Sequence, residues 1–168
     1  PKLTYPIYYD GTIGQAKRHL TKTAEKINEK YSDVKAYISV NKALVTQASA
    51  AIPIVPLYFA ILYKVMKAQG THEGCIEQIS RLFHEKLFVE KPMTDEQGRI
   101  RMDDWELSDE VQDKVMECWK NVTTENVTEL SDIDGYWQDF YQMFGFHLDG
   151  VDYAKDVDLE IAIPSLEK

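Results

Sequence analysis

Residues 34–40 form an apolar run rich in β-branched side chains, and they follow a helical pattern over residues 13–31. Such a run is typical of a strand that is buried on both faces, as in a parallel sheet. A helix that leads into such a strand makes half of a βαβ unit. The two patterns therefore predict an α/β fold whose other strands come from elsewhere.

Further along the chain, residues 53–69 read as an apolar helix that Gly70 ends, and residues 72–88 as an amphipathic helix. We expect the inward face of the second helix to carry its large apolar side chains. These are Ile76, Ile79, Leu82, Phe83 and Leu87.

The last third of the chain reads as short elements separated by polar loops. Residues 99–102 are a short strand-like piece, and Ser108 is the N-cap of a helix that runs to about residue 122. A short helix or turn follows over residues 123–132, and residues 157–163 are a final strand candidate. The whole chain, residues 1–168, is predicted to be one domain.

Composition excludes several classes of function. A net charge of -9 and a pI near 4.9 argue against a nucleic-acid partner, because phosphate neutralisation needs a basic face. Two isolated cysteines make no disulfide framework, and we expect a cytoplasmic protein. The longest apolar stretch is shorter than ~18 residues and contains two prolines, so no membrane insertion is expected. His72, Glu73 and Cys75 lack the further ligands of a zinc site, and no metal is expected.

Lys17 is the unusual residue of the first helix. At about 100° per residue it falls in one stripe with the apolar residues Ile13, Ala16, Leu20, Ala24, Ile27 and Tyr31. A lysine turned toward a core extends its ammonium to solvent, pairs with an acid, or takes part in chemistry.

Tyr8 is the candidate partner of Lys17. Thr12 and Gln15 match a capping box that starts the helix at Ile13, which leaves Tyr8 in the entry loop, where it can fold back toward Lys17. An ammonium near a phenol stabilises the phenolate and lowers a pKa that begins near 10. The phenol is then a better proton donor.

The Tyr8-x8-Lys17 spacing and its surroundings resemble the active-site signature of the NADH-dependent trans-2-enoyl-CoA and enoyl-acyl-carrier-protein reductases of the "V" class. The resemblance runs in order from about residue 4 to about residue 158. It is carried by TYPIYYDGTIGQAK (4–17), VNKALVTQAS (40–49), PLY (56–58), GTHEGCIEQ (70–78), RIRMDDWE (99–106), FGF (144–146) and GVDY (150–153).

The resemblance implies roles for particular residues. Tyr8 and Lys17 would be catalytic, with Lys17 also holding the ribose of NADH. Leu44, Val45 and Thr46 would meet the nicotinamide carboxamide; from the residues alone, this stretch reads as a polar strand-to-helix turn. The face of Val55, Phe59 and Tyr63 would line an acyl pocket, capped by Tyr136, although such a stripe also reads as plain core.

The resemblance also implies what is missing. No Gly-x-Gly-x-x-Gly follows a strand here. The chain therefore resembles the C-terminal portion of a Rossmann-like, doubly wound parallel sheet of the short-chain dehydrogenase/reductase superfamily, without its dinucleotide-binding half. The implied substrate is a trans-2-enoyl thioester of CoA or acyl-carrier protein, and the implied partner is the N-terminal half. The alternative is a non-catalytic piece that needs that half, or self-association.

Overall fold

The computed structural model describes residues 9–158, 160 and 162, so Tyr8 lies outside the described residues. Helices predominate, with one small sheet. In chain order the elements are α1 (Thr12–Lys30), β1 (Ile38–Val40), α2 (Gln47–Ala50), α3 (Val55–Gln69), α4 (Cys75–Arg81) with a π-helical continuation (Leu82–Leu87), β2 (Arg99–Arg101), α5 (Asp109–Asn121), α6 (Val127–Leu130) and α7 (Ile133–Gln142).

The sheet consists, within the described residues, of β1 paired in parallel with β2, and Ser39 lies opposite Ile100. The amides of Met102 and Asp103 both donate to the Val40 carbonyl, at 2.9 and 3.1 Å, so β2 holds the end of β1. The parallel sheet and the strand at 99–102 are confirmed. Burial of 34–40 on both faces is wrong, because β1 is short and half-buried and Val34 is exposed.

Helix α3 is the centre of the core and lies against α5 and α7. Its side chains are buried on nearly every side, which fits its apolar composition. Gly70 ends it with a φ of +69°, as predicted, because glycine adopts this left-handed conformation without strain. The Asp132 amide donates to the Ala60 carbonyl at 2.8 Å, which fastens the start of α7 to α3.

Helix α4 buries its polar side, contrary to expectation. Ile76 is 74% exposed, and Ile79 and Phe83 are exposed as well, whereas Gln78 and Arg81 are buried. Leu82 and Leu87 are half-buried. The inward apolar face predicted for residues 72–88 is therefore wrong.

Arg81 explains the inversion of α4. Its guanidinium donates to both carboxylate oxygens of Glu73 at 2.7 and 2.8 Å, to Asp104 at 3.0 Å and to the Met102 carbonyl at 2.8 Å. It also lies over the Trp105 ring, 4.0 Å from the centroid. A buried cation is stable only when its donors are satisfied, so these partners draw the polar side of α4 inward.

Helix α1 begins at Thr12 with Gly11 as N-cap, and no side chain caps it, so the predicted capping box of Thr12 and Gln15 is wrong. Its apolar stripe is largely open, since Leu20 and Tyr31 are exposed. At its other end the Asn28 side chain forms two hydrogen bonds with the backbone of Ala36, at 2.9 and 2.7 Å.

The C-terminal elements match the sequence in part. Ser108 caps α5 through the Val111 amide, and a short helix lies within residues 123–132, both as predicted. The final strand predicted over residues 157–163 is wrong where the structure describes it, because residues 157, 158, 160 and 162 have no strand conformation.

We expect Arg81→Ala to lower the free energy of unfolding by about 3–5 kcal/mol, because it leaves the Glu73 carboxylate buried without its cation. The matched control is Ile76→Ala on the same helix, which should change it by less than about 0.5 kcal/mol because that side chain is exposed. Urea denaturation of the two variants measures both values. Equal losses would contradict the polar-inward placement of α4.

Candidate functional site

The loop of residues 41–46 follows the carboxyl end of β1, as the sequence predicts. Open α/β sheets bind ligands at this end of their strands. Thr46 ends the loop and begins α2 through a reciprocal capping box: its hydroxyl accepts from the Ser49 amide at 3.1 Å, and the Thr46 amide donates to the Ser49 hydroxyl at 2.9 Å.

Three buried side chains hold the backbone of this loop. The Lys42 amide donates to Gln78 Oε1 at 2.9 Å, and the Ala43 amide donates to Glu106 Oε2 at 2.7 Å. The Val45 amide donates to the Tyr63 hydroxyl at 3.3 Å. Since these supports come from α4, from the segment before α5 and from α3, the loop is fixed to three separate parts of the fold.

Other polar groups of the loop stay available. Within the part of the chain that the structure describes, no hydrogen bond reaches the amide or the carbonyl of Leu44, nor the carbonyl of Val45. The Thr46 hydroxyl accepts from Ser49 and keeps its own proton to donate. One amide donor, two carbonyl acceptors and a hydroxyl are the groups that a carboxamide needs. The loop therefore fits the nicotinamide end of a dinucleotide, although the Val45 amide is already used.

Lys42 lies beside this loop, and sequence reasoning missed it. It is 2% exposed, its Nζ donates to the Ala43 carbonyl at 3.0 Å, and its ammonium lies 5.1 Å from the centre of the Tyr63 ring. Burial lowers its pKa, and the charges of Glu106, Glu73 and Asp139 oppose that shift. A buried lysine at a strand end has no spacing that marks it in the sequence.

Glu106 is the second residue that the sequence did not reveal. It is 3% exposed, and its Oε1 accepts from the Tyr58 hydroxyl at 2.6 Å. Burial and the Glu106 charge both raise the pKa of Tyr58, so that phenol stays protonated and donates. One carboxylate thus bridges α3 and the loop.

The predicted pocket-wall residues lie in the core next to the loop. Val55, Phe59 and Tyr63 are buried, and so is Tyr136 of α7. Burial raises the pKa of Tyr63 and of Tyr136, so both phenols are neutral. Their use as an acyl pocket stays a prediction.

The predicted catalytic pair, Tyr8 and Lys17, lies near the start of the chain. Lys17 is exposed on α1, so the stripe to which it belongs is not turned toward a core within the described residues. Tyr8 lies outside those residues, and its distance to Lys17 stays a prediction. The neighbouring Tyr9 is 57% exposed, with the Arg18 guanidinium 5.4 Å from its ring centre.

Residues 9–158, 160 and 162 hold no group of three or more histidine, cysteine, aspartate or glutamate side chains that could bind a metal ion. In the same part of the chain, no helix has the length and apolar character needed to cross a membrane.

Two known protein families match parts of this chain. Residues 1–88 match the family described as "Trans-2-enoyl-CoA reductase catalytic region". The chain belongs to the trans-2-enoyl-CoA reductase family. Residues 94–157 match a second family, described as "Enoyl reductase FAD binding domain".

Several relatives are close in sequence. The enoyl-[acyl-carrier-protein] reductase [NADH] of Coxiella burnetii is 54% identical over 99% of this chain and 42% of its own length. The trans-2-enoyl-CoA reductase [NADH] of Clostridium perfringens is 58% identical over 95% of this chain and 41% of its own length. The chain thus spans less than half of the curated relatives that it matches.

A solved structure shares the fold. The trans-2-enoyl-CoA reductase of Treponema denticola, determined in complex with NAD, has a TM-score of 0.90 and 48% identity, covering 94% of this chain and 40% of that one. An α/β arrangement of helices with a small parallel sheet is therefore shared with a solved member of the family.

The description of residues 94–157 raises the question of flavin adenine dinucleotide, whose pyrophosphate needs cations or open helix N-termini. The first turn of α5 carries Asp109 and Glu110, and α7 begins with Asp132 at its N-cap and Asp134 in its first turn. The arginines of this region are already paired, Arg99 with Asp95 and Arg101 with Asp103. These two helix N-termini and these two arginines do not fit a flavin pyrophosphate.

His72 supplies a pH-dependent test of this part of the structure. Burial, with the charges of Lys42 and Lys67, lowers its pKa to about 4. Because an unfolded histidine titrates near 6.5, the fold keeps its full stability above that pH and loses it as the pH falls from about 6.5 to about 4. We expect a loss of about 1–2 kcal/mol after allowance for solvent screening.

Thermal unfolding across this pH range measures the effect. His72→Phe is the control, because it keeps an aromatic ring against Tyr63, whose ring centre lies 4.4 Å from that of His72. Above pH 4 the variant should lose less stability than the parent chain. Burial alone would raise the pKa values of Asp104 and Asp132, but ion pairs with Lys86 and Arg81 and with Lys67 lower them. Both carboxylates therefore lose their stabilising effect mainly at the acid end of this range and below it, and both are present in the two proteins. Identical profiles for the two proteins would contradict the assignment.

Proposed function

We propose that this chain is the C-terminal, catalytic and substrate-binding portion of an NADH-dependent trans-2-enoyl-thioester reductase. One observation supports this above the others. The loop at the end of β1 has backbone donors and acceptors that are free to bind a carboxamide, and three buried side chains fix its backbone. The names of the relatives, which include both enoyl-acyl-carrier-protein and trans-2-enoyl-CoA reductases, agree with it.

In this proposal NADH supplies a hydride to C3 of the enoyl thioester. Leu44, Val45 and Thr46 hold the nicotinamide carboxamide through the Leu44 backbone, the Val45 carbonyl and the Thr46 hydroxyl. Fixing the ring in this way limits its orientation toward the acyl chain, which is how a positioned cofactor site accelerates transfer.

Tyr8 is the proposed acid. Negative charge develops on the thioester oxygen as C3 is reduced, and a phenol that donates a hydrogen bond or proton there stabilises it. Lys17 binds the ribose hydroxyls and favours the phenolate electrostatically. From the resemblance that this pair and its surroundings carry, we infer a member of the short-chain dehydrogenase/reductase superfamily with a Rossmann-like doubly wound sheet.

The acyl chain is proposed to lie along Val55, Phe59 and Tyr63, with Tyr136 closing the pocket. These side chains are contiguous with the loop, since the Tyr63 hydroxyl contacts the Val45 amide. The net charge of -9 disfavours the acidic carrier protein as the bearer of the thioester. The setting would be fatty-acid synthesis in the cytoplasm.

The pyrophosphate site is proposed to come from the N-terminal half of the same enzyme. The open apolar stripe of α1 and the exposed face of α4 support this, since both offer surface for a large partner. The same observation favours the second candidate function, a non-catalytic piece that only associates with that half.

A chimaera tests the chemistry: this chain replaces the matching 40% of the Treponema denticola enzyme, and NADH oxidation is followed with crotonyl-CoA. We expect Tyr8→Phe to lower kcat by roughly 10²-fold or more, because it removes a general acid. Tyr9→Phe is the matched control and should retain activity. Equal losses in the two variants would reject Tyr8 as the acid.

The 168-residue chain assayed alone should show no turnover, because it carries no glycine-rich pyrophosphate loop. The same spectrophotometric assay measures this, with the intact mass of the sample confirming that one chain is present. Turnover by that chain would contradict the need for an N-terminal half. An inactive chimaera would instead favour the non-catalytic alternative.

A further inference from the structure

We propose that Glu106 is a positioning residue, which holds the loop of residues 41–46 in the conformation that binds the nicotinamide carboxamide. The inference rests on the proposed function, because it takes that loop as the cofactor contact. Glu106 acts through the Ala43 amide and through no atom of the cofactor.

The two oxygens of Glu106 have different partners. Oε2 accepts from the Ala43 amide at 2.7 Å, and Oε1 accepts from the Tyr58 hydroxyl at 2.6 Å. Hydrogen bonds to a carboxylate are stronger than those between neutral groups, and two of them prevent rotation of the side chain. At 3% exposed, Glu106 has almost no water to replace either bond.

The other end of this bridge is rigid. Tyr58 lies fully buried on α3, and Gln112 of α5 donates both to the Tyr58 hydroxyl at 3.3 Å and to the Glu106 carbonyl at 2.7 Å. Glu106 therefore fixes the Ala43 amide relative to two packed helices.

Of the three side chains from elsewhere in the fold that accept from loop amides, Glu106 is the charged one, and hydrogen bonds to a charged acceptor are the strongest. Ala43 is bonded to Leu44, whose amide and carbonyl have no partner in the described part of the chain. The bond from the Val45 amide to Tyr63, at 3.3 Å, is longer and joins neutral groups. A displacement of about 1 Å at a positioned site costs on the order of 10²-fold in rate, so the Ala43 anchor sets the geometry that matters.

The test uses the chimaera described above with Glu106→Gln. The side-chain amide of the introduced glutamine is uncharged. Its NH₂ group faces a donor in either orientation, the Ala43 amide or the Tyr58 hydroxyl, so one hydrogen bond is lost. The readout compares the Kd of NADH with that of ADP-ribose, which lacks the nicotinamide. We expect roughly tenfold weaker NADH binding, from the loss of one charge-assisted hydrogen bond. Binding of ADP-ribose should stay within about twofold, since the proposed pyrophosphate site lies in the N-terminal half, away from the loop.

Equal weakening of both ligands, or unchanged NADH binding, would overturn the proposal. Tyr58→Phe gives a second test if Glu106→Gln does not fold: it removes one bond from Glu106 and should shift NADH binding alone, by a smaller factor. Asp103→Asn is the control, because Asp103 is also a buried carboxylate with two hydrogen bonds but its side chain contacts Arg101 instead of the loop. This control variant should lower Tm without changing the ratio of the Kd of NADH to the Kd of ADP-ribose.

Failure of the proposed function gives a different result. If the unsubstituted chimaera does not oxidise NADH with crotonyl-CoA and binds NADH no more tightly than ADP-ribose, the loop is not the nicotinamide contact, and both inferences fall together. If it turns over and Glu106→Gln weakens NADH and ADP-ribose binding equally or not at all, only the positioning role is wrong.

Discussion

The hydroxyl groups of two tyrosines on the most buried helix connect the core of this protein to its candidate site. Helix α3 is apolar on nearly all sides and is covered on nearly all sides, so Tyr58 and Tyr63 cannot reach water. A buried phenol needs a hydrogen-bond partner, because its desolvation is otherwise uncompensated. Tyr58 finds Glu106, and Tyr63 finds the Val45 amide. The energetic requirement of the core thereby fixes the loop at the end of β1.

The polar side of α4 follows from the same rule applied to charge. Arg81 is buried because Glu73, Asp104 and the Met102 carbonyl together satisfy its guanidinium. Gln78, one turn earlier on the same buried side, then reaches the Lys42 amide. An ion-pair network that contributes little net stability by itself can in this way set which face of a helix turns inward. The network thus sets the orientation of α4, and the loop depends on that orientation through Gln78.

Sequence reasoning succeeded where local chemistry decides the structure and failed where distant partners do. Gly70, the Ser108 cap and the strand at 99–102 were predicted correctly, because each follows from its own neighbours in the chain. The inward face of α4 was wrong because the apolar spacing of Ile76, Ile79 and Phe83 carries no information about Asp104, which lies far along the chain. Glu106 and Lys42 were missed for that reason too: a buried charge is recognisable only once its partners are placed. The position of the loop after β1 was predicted correctly, because the strand pattern ends there, and the contact with nicotinamide that the resemblance implies stays a prediction.

The distance between Lys17 of the proposed catalytic pair and the loop depends on the orientation of α1. Asn28 fastens α1 to Ala36, just ahead of β1, with two hydrogen bonds. Lys17 lies eleven residues from Asn28, or about 16 Å along a helix that rises 1.5 Å per residue. A small tilt at Asn28 therefore displaces Lys17 by several ångströms, more than a positioned site tolerates. The apolar stripe of α1 is open, with Leu20 56% exposed, so a partner that covered this stripe would also set the distance from Lys17 to Thr46. In the proposed enzyme, burial of the stripe and positioning of Lys17 would then be one physical event.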